Sequence, residues 1–372
     1  MTHDVDTAIV GGGLVGAAIA FGLRGLGRRL AVLDEGDNAF RAARGNFGLI
    51  WVQGKGSGMP SYGAWTQSSA RAWPELAREL LSLTGIDVAL AQPGGIHVCL
   101  TQDELDARVE RLRAMLAQEG FERYDVDILD RSALAQRLPG LGPDVVGGTY
   151  CALDGHCNPL RLLRAMHAAL AHSDVRYLPD APVRTLEHRD DGFAIQTARG
   201  ALRARQVVLA AGLGNARLAP MVGLHTPVVP NQGQLIALER VRPFLPLPLE
   251  TIRQTDDGTV LVGDAQADRG CDDAVSTGVL SAMAARAIQV FPALRDVRMV
   301  RAWAALRVMT PDGHPIYAQS PSCPGAFVAT CHSGVTLAAA HAYLLAPALT
   351  GAPLPPSMAP FTDRRFDVRQ AA

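Results

Sequence analysis

Ala8-Ile9-Val10-Gly11-Gly12-Gly13-Leu14-Val15-Gly16-Ala17-Ala18 is the stretch that decides how this chain folds. A short apolar run ends in three glycines, and an alanine-rich run continues to Leu23. That order reads as strand, tight turn, helix. Gly11 permits the turn, Gly13 lets the backbone approach a pyrophosphate, and Gly16 lets the helix pack close to the strand. An anion would sit on the free N–H groups of the first helical turn, where Leu14 and Val15 lie, favoured by the positive end of the helix dipole.

Glycine turns serve many loops, so the context must separate a nucleotide site from a close-packed βαβ turn without a ligand. A strand precedes the glycines and a helix follows them. A second apolar strand, Leu30-Ala31-Val32-Leu33, then ends in Asp34. That carboxylate falls about 20 residues after the glycines, where a dinucleotide ribose needs an acceptor for its hydroxyls. Together these features point to an ADP-containing cofactor.

At 372 residues the chain has room for two or three domains, each with its own core. Apolar content of 48% and charged content of 19% describe a globular chain and exclude a disordered one. A formal net charge of −1 argues against a nucleic-acid partner. The six cysteines form no CxxC pair, so neither zinc nor a dithiol site is suggested, and no metal is expected. Scattered cysteines, an acidic start (Asp4, Asp6) and no apolar run of ~18 residues read as a cytoplasmic protein without a membrane span.

Along the chain, Arg44-Gly45-Asn46-Phe47-Gly48 and Trp51-Val52-Gln53-Gly54-Lys55-Gly56 interleave glycines with polar and aromatic groups, as backbone held against a ligand would. A helix is expected from about Tyr62 to Leu83, with Trp65, Ala72, Trp73, Leu76, Leu80 and Leu83 on one side. Strands are expected at Val88–Leu90 and Gly95–Leu100, with His97 as a hydrogen-bonded sheet residue, and helices near Gln102–Glu119 and Leu160–His172. Ala204 to Gly212 reads as a buried parallel strand whose small end, Ala211-Gly212, lets the backbone reach the nucleotide. Val228–Leu238 reads as a strand with a bulge, and Ser276–Phe291 as a helix. The expected architecture is α/β: a Rossmann-like cofactor-binding domain (1–85, 150–226 and 298–372) with an inserted mixed α/β substrate domain (86–149 and 227–297).

The C-terminal part carries a second signal. It contains Trp303-Ala304-Ala305-Leu306-Arg307-Val308-Met309-Thr310-Pro311-Asp312-Gly313-His314-Pro315, then a strand, Ala326–Thr330, and then His332-Ser333-Gly334-Val335-Thr336-Leu337-Ala338. With the N-terminal fingerprint, these segments resemble the FAD-dependent D-amino-acid oxidase superfamily, which includes glycine oxidases, sarcosine oxidases, D-amino-acid dehydrogenases and opine oxidases. The resemblance covers nearly the whole chain. Within the superfamily, the loop 44–56 is most similar to the β subunits of octopine and nopaline oxidases. Hydrogen cyanide synthase subunits, D-hydroxyproline dehydrogenases and glycine oxidases are near neighbours.

The resemblance implies that Gly11, Gly13, Gly16 and Asp34 hold the ADP half of FAD. It places Arg44, Asn46, Phe47 and Gly48 along the pyrophosphate and flavin, and the Val183 backbone at the adenine. A helix starting near Gly334-Val335-Thr336, preceded by Ser333, would aim its N-terminus at the flavin's pyrimidine edge. Negative charge is stabilised there by typically ~0.3–1 kcal/mol. Two readings stand for His332, an acid/base or a structural histidine against the flavin. Two also stand for Arg307, a fork gripping the substrate carboxylate or an ion pair with Asp312. Ala305 occupies the place where monomeric sarcosine oxidase attaches its flavin through cysteine, so FAD is expected to be non-covalent.

The implied activity is hydride removal from the carbon beside an amino-acid nitrogen, giving an imine that hydrolyses to a 2-oxo acid and an amine. Opines or other N-substituted amino acids come first as substrates, then D-amino acids, glycine or sarcosine. The rival reading is an electron-relaying or scaffolding flavoprotein in a hetero-oligomer with other redox subunits. An RNA-modifying flavoprotein is disfavoured by the balanced charge.

Overall fold

A computed structural model describes residues 3–36, 42–263, 265–350, 354 and 356–367. Its central element is Val5–Val10, apolar at most positions and buried on both faces. This strand pairs in parallel with Leu30–Leu33 on one side and with Gly200–Leu209 on the other. Strands sandwiched between covering layers need apolar residues throughout, as these have.

The eight-stranded sheet runs in the order Ile316–Gln319, Ala326–Thr330, Gly200–Leu209, Val5–Val10, Leu30–Leu33, Arg176–Leu178. Ile316–Gln319 is antiparallel to its neighbour, and the hairpin Val183–Arg189 with Gly192–Thr197 adds antiparallel strands to Gly200–Leu209. The α/β, Rossmann-like expectation holds. The helix Leu14–Leu23 covers one face and meets a continuous helical run, Ala338–Ala348. The two come close because their contact is built from small residues: a Cβ at Gly22 would stand 2.0 Å from the carbonyl oxygen of Ala342. Helix Pro60–Thr84 buries Trp65, Trp73, Leu76 and Leu80. Leu83, expected on that face, is exposed instead.

A second, antiparallel sheet runs Ile252–Gln254, Thr259–Val262, Val229–Arg240, Met299–Met309. A three-stranded sheet of Gly95–Cys99, Gly147–Cys151 and Asp127–Asp130 shares its apolar core, through Ile96, Leu129, Ile236, Leu249 and Val260. Helices Thr277–Val290 and Gln102–Leu116 complete this layer.

Two local expectations are corrected. Val88–Leu90 is not a strand; Ala89 has a φ of 52°, which no strand residue adopts. The bulge expected in Val228–Leu238 is present, at Ala237/Leu238 of Val229–Arg240. The last helix begins at Ala338, four residues beyond Gly334; residues 334–337 form the turn that leads into it.

The long strand Met299–Met309 pairs with Val229–Arg240 yet leads into the segment that returns to the main sheet. It therefore carries its residues from the second sheet toward the glycine turn. Division into a cofactor domain (1–85, 150–226, 298–372) and a substrate domain (86–149, 227–297) is kept as a proposal about folding units.

Candidate functional site

The glycine turn opens onto a cleft of about 290 Å³ that runs between the main sheet and the end of Met299–Met309. Gly11 has a φ of +106°, and a Cβ there would lie 2.4 Å from the Ala210 carbonyl oxygen. Gly16 is required by packing, since its Cβ would lie 1.9 Å from the Gly11 oxygen. Gly13 differs: the nearest atom to its Cβ would be the Ala43 methyl at 3.7 Å. Among the described residues no atom demands a glycine there, and Gly13 borders the cleft. A backbone bared toward open space, at the start of a helix, is a cradle for a bound anion.

Leu14, Val15, Asp34, Asn46, Val183, Ala211, Gly212 and Gly334 line the same cleft. Asp34 is buried at the end of its strand, and its carboxylate accepts the Gly12 N–H (2.6 Å) and the Gly36 N–H (2.9 Å). Those bonds fix the carboxylate at one end of the cleft. The Val183 carbonyl accepts from Arg217 (2.8 Å), so this backbone oxygen is already engaged. Leu306 and Val308 supply the apolar wall from the second sheet.

A second cavity of about 250 Å³ adjoins the first and shares Ala42, Asn46 and His332 with it. Phe47, Trp51, Lys55, Glu250, Ala305, Arg307, Ser333, Val335 and Thr336 border it. Arg307 stands in its wall, with Nη1 donating to Asn231 Oδ1 (3.1 Å), the Gln232 carbonyl (3.3 Å) and the Ala265 carbonyl (2.9 Å). Its guanidinium lies over Gly233, where a Cβ would come within 2.5 Å of Nη1. Asp312, the alternative partner, is instead held by Arg365 through two bonds (2.7 and 3.2 Å). The ion-pair reading of Arg307 with Asp312 is thereby set aside.

His332 sits where the two cavities join. Lys55 Nζ lies 3.1 Å from its Nε2, and Ser333 Oγ also lies 3.1 Å away. Burial, followed by the Lys55 and Arg307 charges, holds this imidazole well below the usual histidine range. It is neutral near pH 7 and acts as a hydrogen-bonding group, not as a cation. The turn behind it is braced from several sides. Trp73 Nε1 donates to the Val335 and Thr336 carbonyls (both 3.2 Å), the Thr336 hydroxyl donates to the Leu49 carbonyl (3.2 Å), and Tyr62 donates to Ser333 (3.0 Å).

Two residues of the loop 44–48 stand elsewhere. Arg44 is exposed and borders neither cavity. Gly48, with a φ of +94°, packs against the Cys157 carbonyl, which its Cβ would approach to 2.6 Å. Its role is close packing of the loop.

Several residues at the site went unassigned at the sequence level. Lys55 and Trp51 were visible only as parts of a glycine-rich loop, and Glu250 lay in a proline-rich connector. The loop is set by Asp154, fully buried, which accepts from the Val52 and Gln53 N–H groups and from Gln53 Nε2 (2.7 Å). Gln53 Oε1 in turn accepts from Arg108 (2.9 Å) and Thr149 (2.7 Å). His97 lies in its strand as expected and contacts Glu250 through Nδ1.

Residues 6–348 match the family of FAD-dependent oxidoreductases known as DAO. The chain is 43% identical over 369 residues to an opine oxidase subunit from Rhizobium meliloti, covering 99% of this chain and 100% of that one. It is 42% identical to the corresponding opine oxidase subunit from Agrobacterium tumefaciens (strain Ach5), with the same coverage. Among solved structures, it is similar to glycine oxidase from Geobacillus kaustophilus, with a TM-score of 0.86 and 28% identity over 94% of this chain and 95% of that one.

Proposed function

The chain belongs to the FAD-dependent oxidoreductase (DAO) family and acts on amino-acid or amine C–N bonds, and from that premise we propose that its substrate is an opine or another N-substituted amino acid. FAD is the cofactor, and the first cleft fits it. Its ADP half would rest on Gly11, Gly13, Leu14, Val15, Gly16 and Asp34, with Val183, Ala211 and Gly212 alongside. Asn46, His332 and Gly334 would flank the flavin. Ala305 offers no thiol, which supports a non-covalent attachment. When bound, FAD supplies the hydride acceptor.

The observation that carries this reading is the position of Arg307. An arginine held by Asn231, Gln232 and Ala265 in the wall of a cavity joined to the cofactor cleft supports this role, since a guanidinium matches a carboxylate in shape and charge. Gripping the substrate there fixes the carbon beside nitrogen toward the first cleft, and such positioning is the larger part of hydride-transfer catalysis. The cavity carries the Glu250 carboxylate beside the Arg307 and Lys55 cations, and the substrate nitrogen must arrive as the free base to keep the lone pair needed to expel hydride from its neighbouring carbon. Neutral His332 accepts hydrogen bonds at the junction and carries no obligatory proton. The resulting imine takes up water and splits into a 2-oxo acid and an amine. The test is product identification: octopine should yield pyruvate and arginine in equal amounts, and release of neither from any opine refutes the substrate.

A second reading rests on the relatives, which are named as subunits. In it the chain works within a hetero-oligomer and passes electrons to a partner protein. A purified chain that binds FAD and is reduced by substrate only after its partners are added would establish it. No helix among the described residues is long and apolar enough to cross a membrane. The six unpaired cysteines favour a cytoplasmic location.

A further inference from the structure

The second cavity is bordered by two cations, Arg307 and Lys55, and, among the described residues, by one carboxylate, that of Glu250. Glu250 stands at the seam between the three-stranded sheet and the antiparallel sheet. Its N–H donates to the Ile96 carbonyl (3.1 Å), the Ile96 N–H donates to the Pro248 carbonyl (3.0 Å), and the Leu249 N–H donates to the Ile252 carbonyl (2.7 Å). A backbone tied to both sheets fixes the point from which the side chain leaves. His97 Nδ1 engages one carboxylate oxygen, Oε2, and the other, Oε1, bonds to no described residue. A carboxylate can accept about four hydrogen bonds, so His97 leaves most of that capacity open. The side chain also keeps 29% of its exposure, so it is not sealed from the cavity it borders.

Burial works against a charge at this carboxyl, but the His97 contact and the nearby charges of His97, Arg108 and Lys55 hold it below the usual carboxylate range. It is therefore an anion near pH 7. Arg108 and Lys55 stabilise that charge without occupying Oε1. Arg108 donates to Gln53 (2.9 Å), and Lys55 Nζ stands 3.1 Å from His332 and 3.3 Å from Ser333. The loop keeps Lys55 there: the Tyr124 hydroxyl receives the Gly54 N–H (3.2 Å), and Gln118 clasps the Gly56 carbonyl (3.1 Å) and the Gly58 N–H (2.7 Å). A further cation brought into a cavity that already has two is favoured only against the carboxylate. Phe47, Trp51 and Leu235 border the same cavity and offer apolar walls to the stem of a long basic side chain.

We propose that Glu250 receives the cationic side chain of an opine built on a basic amino acid, while Arg307 grips a carboxylate of the same molecule. This deepens the opine reading and rests on it. A guanidinium suits the site best, because its N–H fork matches the geometry of a carboxylate. An opine with an uncharged side chain would leave Oε1 facing carbon, and a polar group deprived of its partner discriminates strongly between substrates. Glu250 is thus a specificity-determining residue that selects among opines and takes no part in the hydride transfer.

The test uses the FAD-loaded protein and two thioether analogues of octopine in which sulfur replaces the oxidisable nitrogen, one keeping the guanidinium and the other ending in a methyl group. Calorimetry on the wild type should show the guanidinium analogue binding about 10–100-fold more tightly, the range of one charge-assisted contact. In Glu250→Gln the ratio should collapse to near one, and in Glu250→Asp, which keeps the charge and controls for folding, part of it should return. A wild type without preference overturns the assignment. So does a ratio unchanged in Glu250→Gln, including the case in which both analogues weaken together, as a merely structural role would give. Failure of the opine reading shows separately, as a wild type that prefers the guanidinium analogue yet releases no 2-oxo acid from any opine.

Discussion

Replacing Gly13 by alanine separates a glycine needed by the ligand from glycines needed by the fold. Gly13 is the N-cap of helix Leu14–Leu23, with φ −71° and ψ −175°, an extended conformation open to alanine. The added methyl would find Ala43 at 3.7 Å, an ordinary contact. Losing glycine at an N-cap costs roughly 0.5 kcal/mol, and the reduced freedom of the unfolded chain returns about 0.4–1 kcal/mol. The apoprotein should therefore keep its stability within about 0.5 kcal/mol. The cofactor should not tolerate the change. A methyl forced into a filled site costs about 1–3 kcal/mol, which is roughly 5–150-fold in Kd for FAD. Gly16→Ala is the contrast, because its methyl would lie 1.9 Å from the Gly11 oxygen and the helix must move away from the strand. Thermal unfolding of the two apoproteins and fluorescence titration with FAD measure both quantities. If Gly13→Ala binds FAD as the wild type does, the cofactor does not cross this turn as argued.

Other outcomes follow from the second cavity and its supports. Gly233→Ala would push the Arg307 guanidinium from a position 2.5 Å from the new Cβ, so kcat/KM for an amino-acid substrate should fall about 10–100-fold with FAD affinity unchanged; an unaltered kcat/KM would show that Arg307 does not clamp substrate. Burial raises the Asp154 carboxyl to about 7. Because the native state holds this proton where the unfolded state has released it, stability should fall as pH rises from about 4 to 7, at up to ~1.4 kcal/mol per unit, then level off. Urea unfolding at several pH values should show a shallower slope in Asp154→Asn, and an identical slope would contradict the assignment. His332, held well below the usual range by burial and the neighbouring cations, should contribute no limb to the kcat profile between pH 6 and 9. A limb that disappears in His332→Asn would show that it titrates there.

The parts of this site that were legible in the sequence are those imposed by backbone geometry. A strand followed by Gly11, Gly13 and Gly16 leaves few folds open, and the three glycines have three distinct spatial reasons that their spacing already encodes. Arg307 was legible through the family resemblance of the segment Trp303 to Pro315, which singles it out as a carboxylate fork or an ion-pair partner. Its actual anchors, Asn231, Gln232 and Ala265, come from elements separated from it by dozens of residues, and nothing local reveals them. The same holds for Lys55, whose direction is fixed by Asp154, Tyr124 and Gln118, each from a different segment. Gly48 misled because a positive φ looks alike whether a ligand or a neighbouring carbonyl forbids the side chain. The last helix starts later than its sequence suggests because the 333–337 turn is held by Trp73, Tyr62 and Leu49, tertiary contacts that override the local helical pattern.

The most direct test of the central claim is an anaerobic titration of the FAD-loaded protein with octopine and nopaline, followed by the flavin's visible absorbance. Loss of the yellow colour, in step with release of one 2-oxo acid per flavin, is the predicted result. A spectrum that stays oxidised with both opines would contradict it.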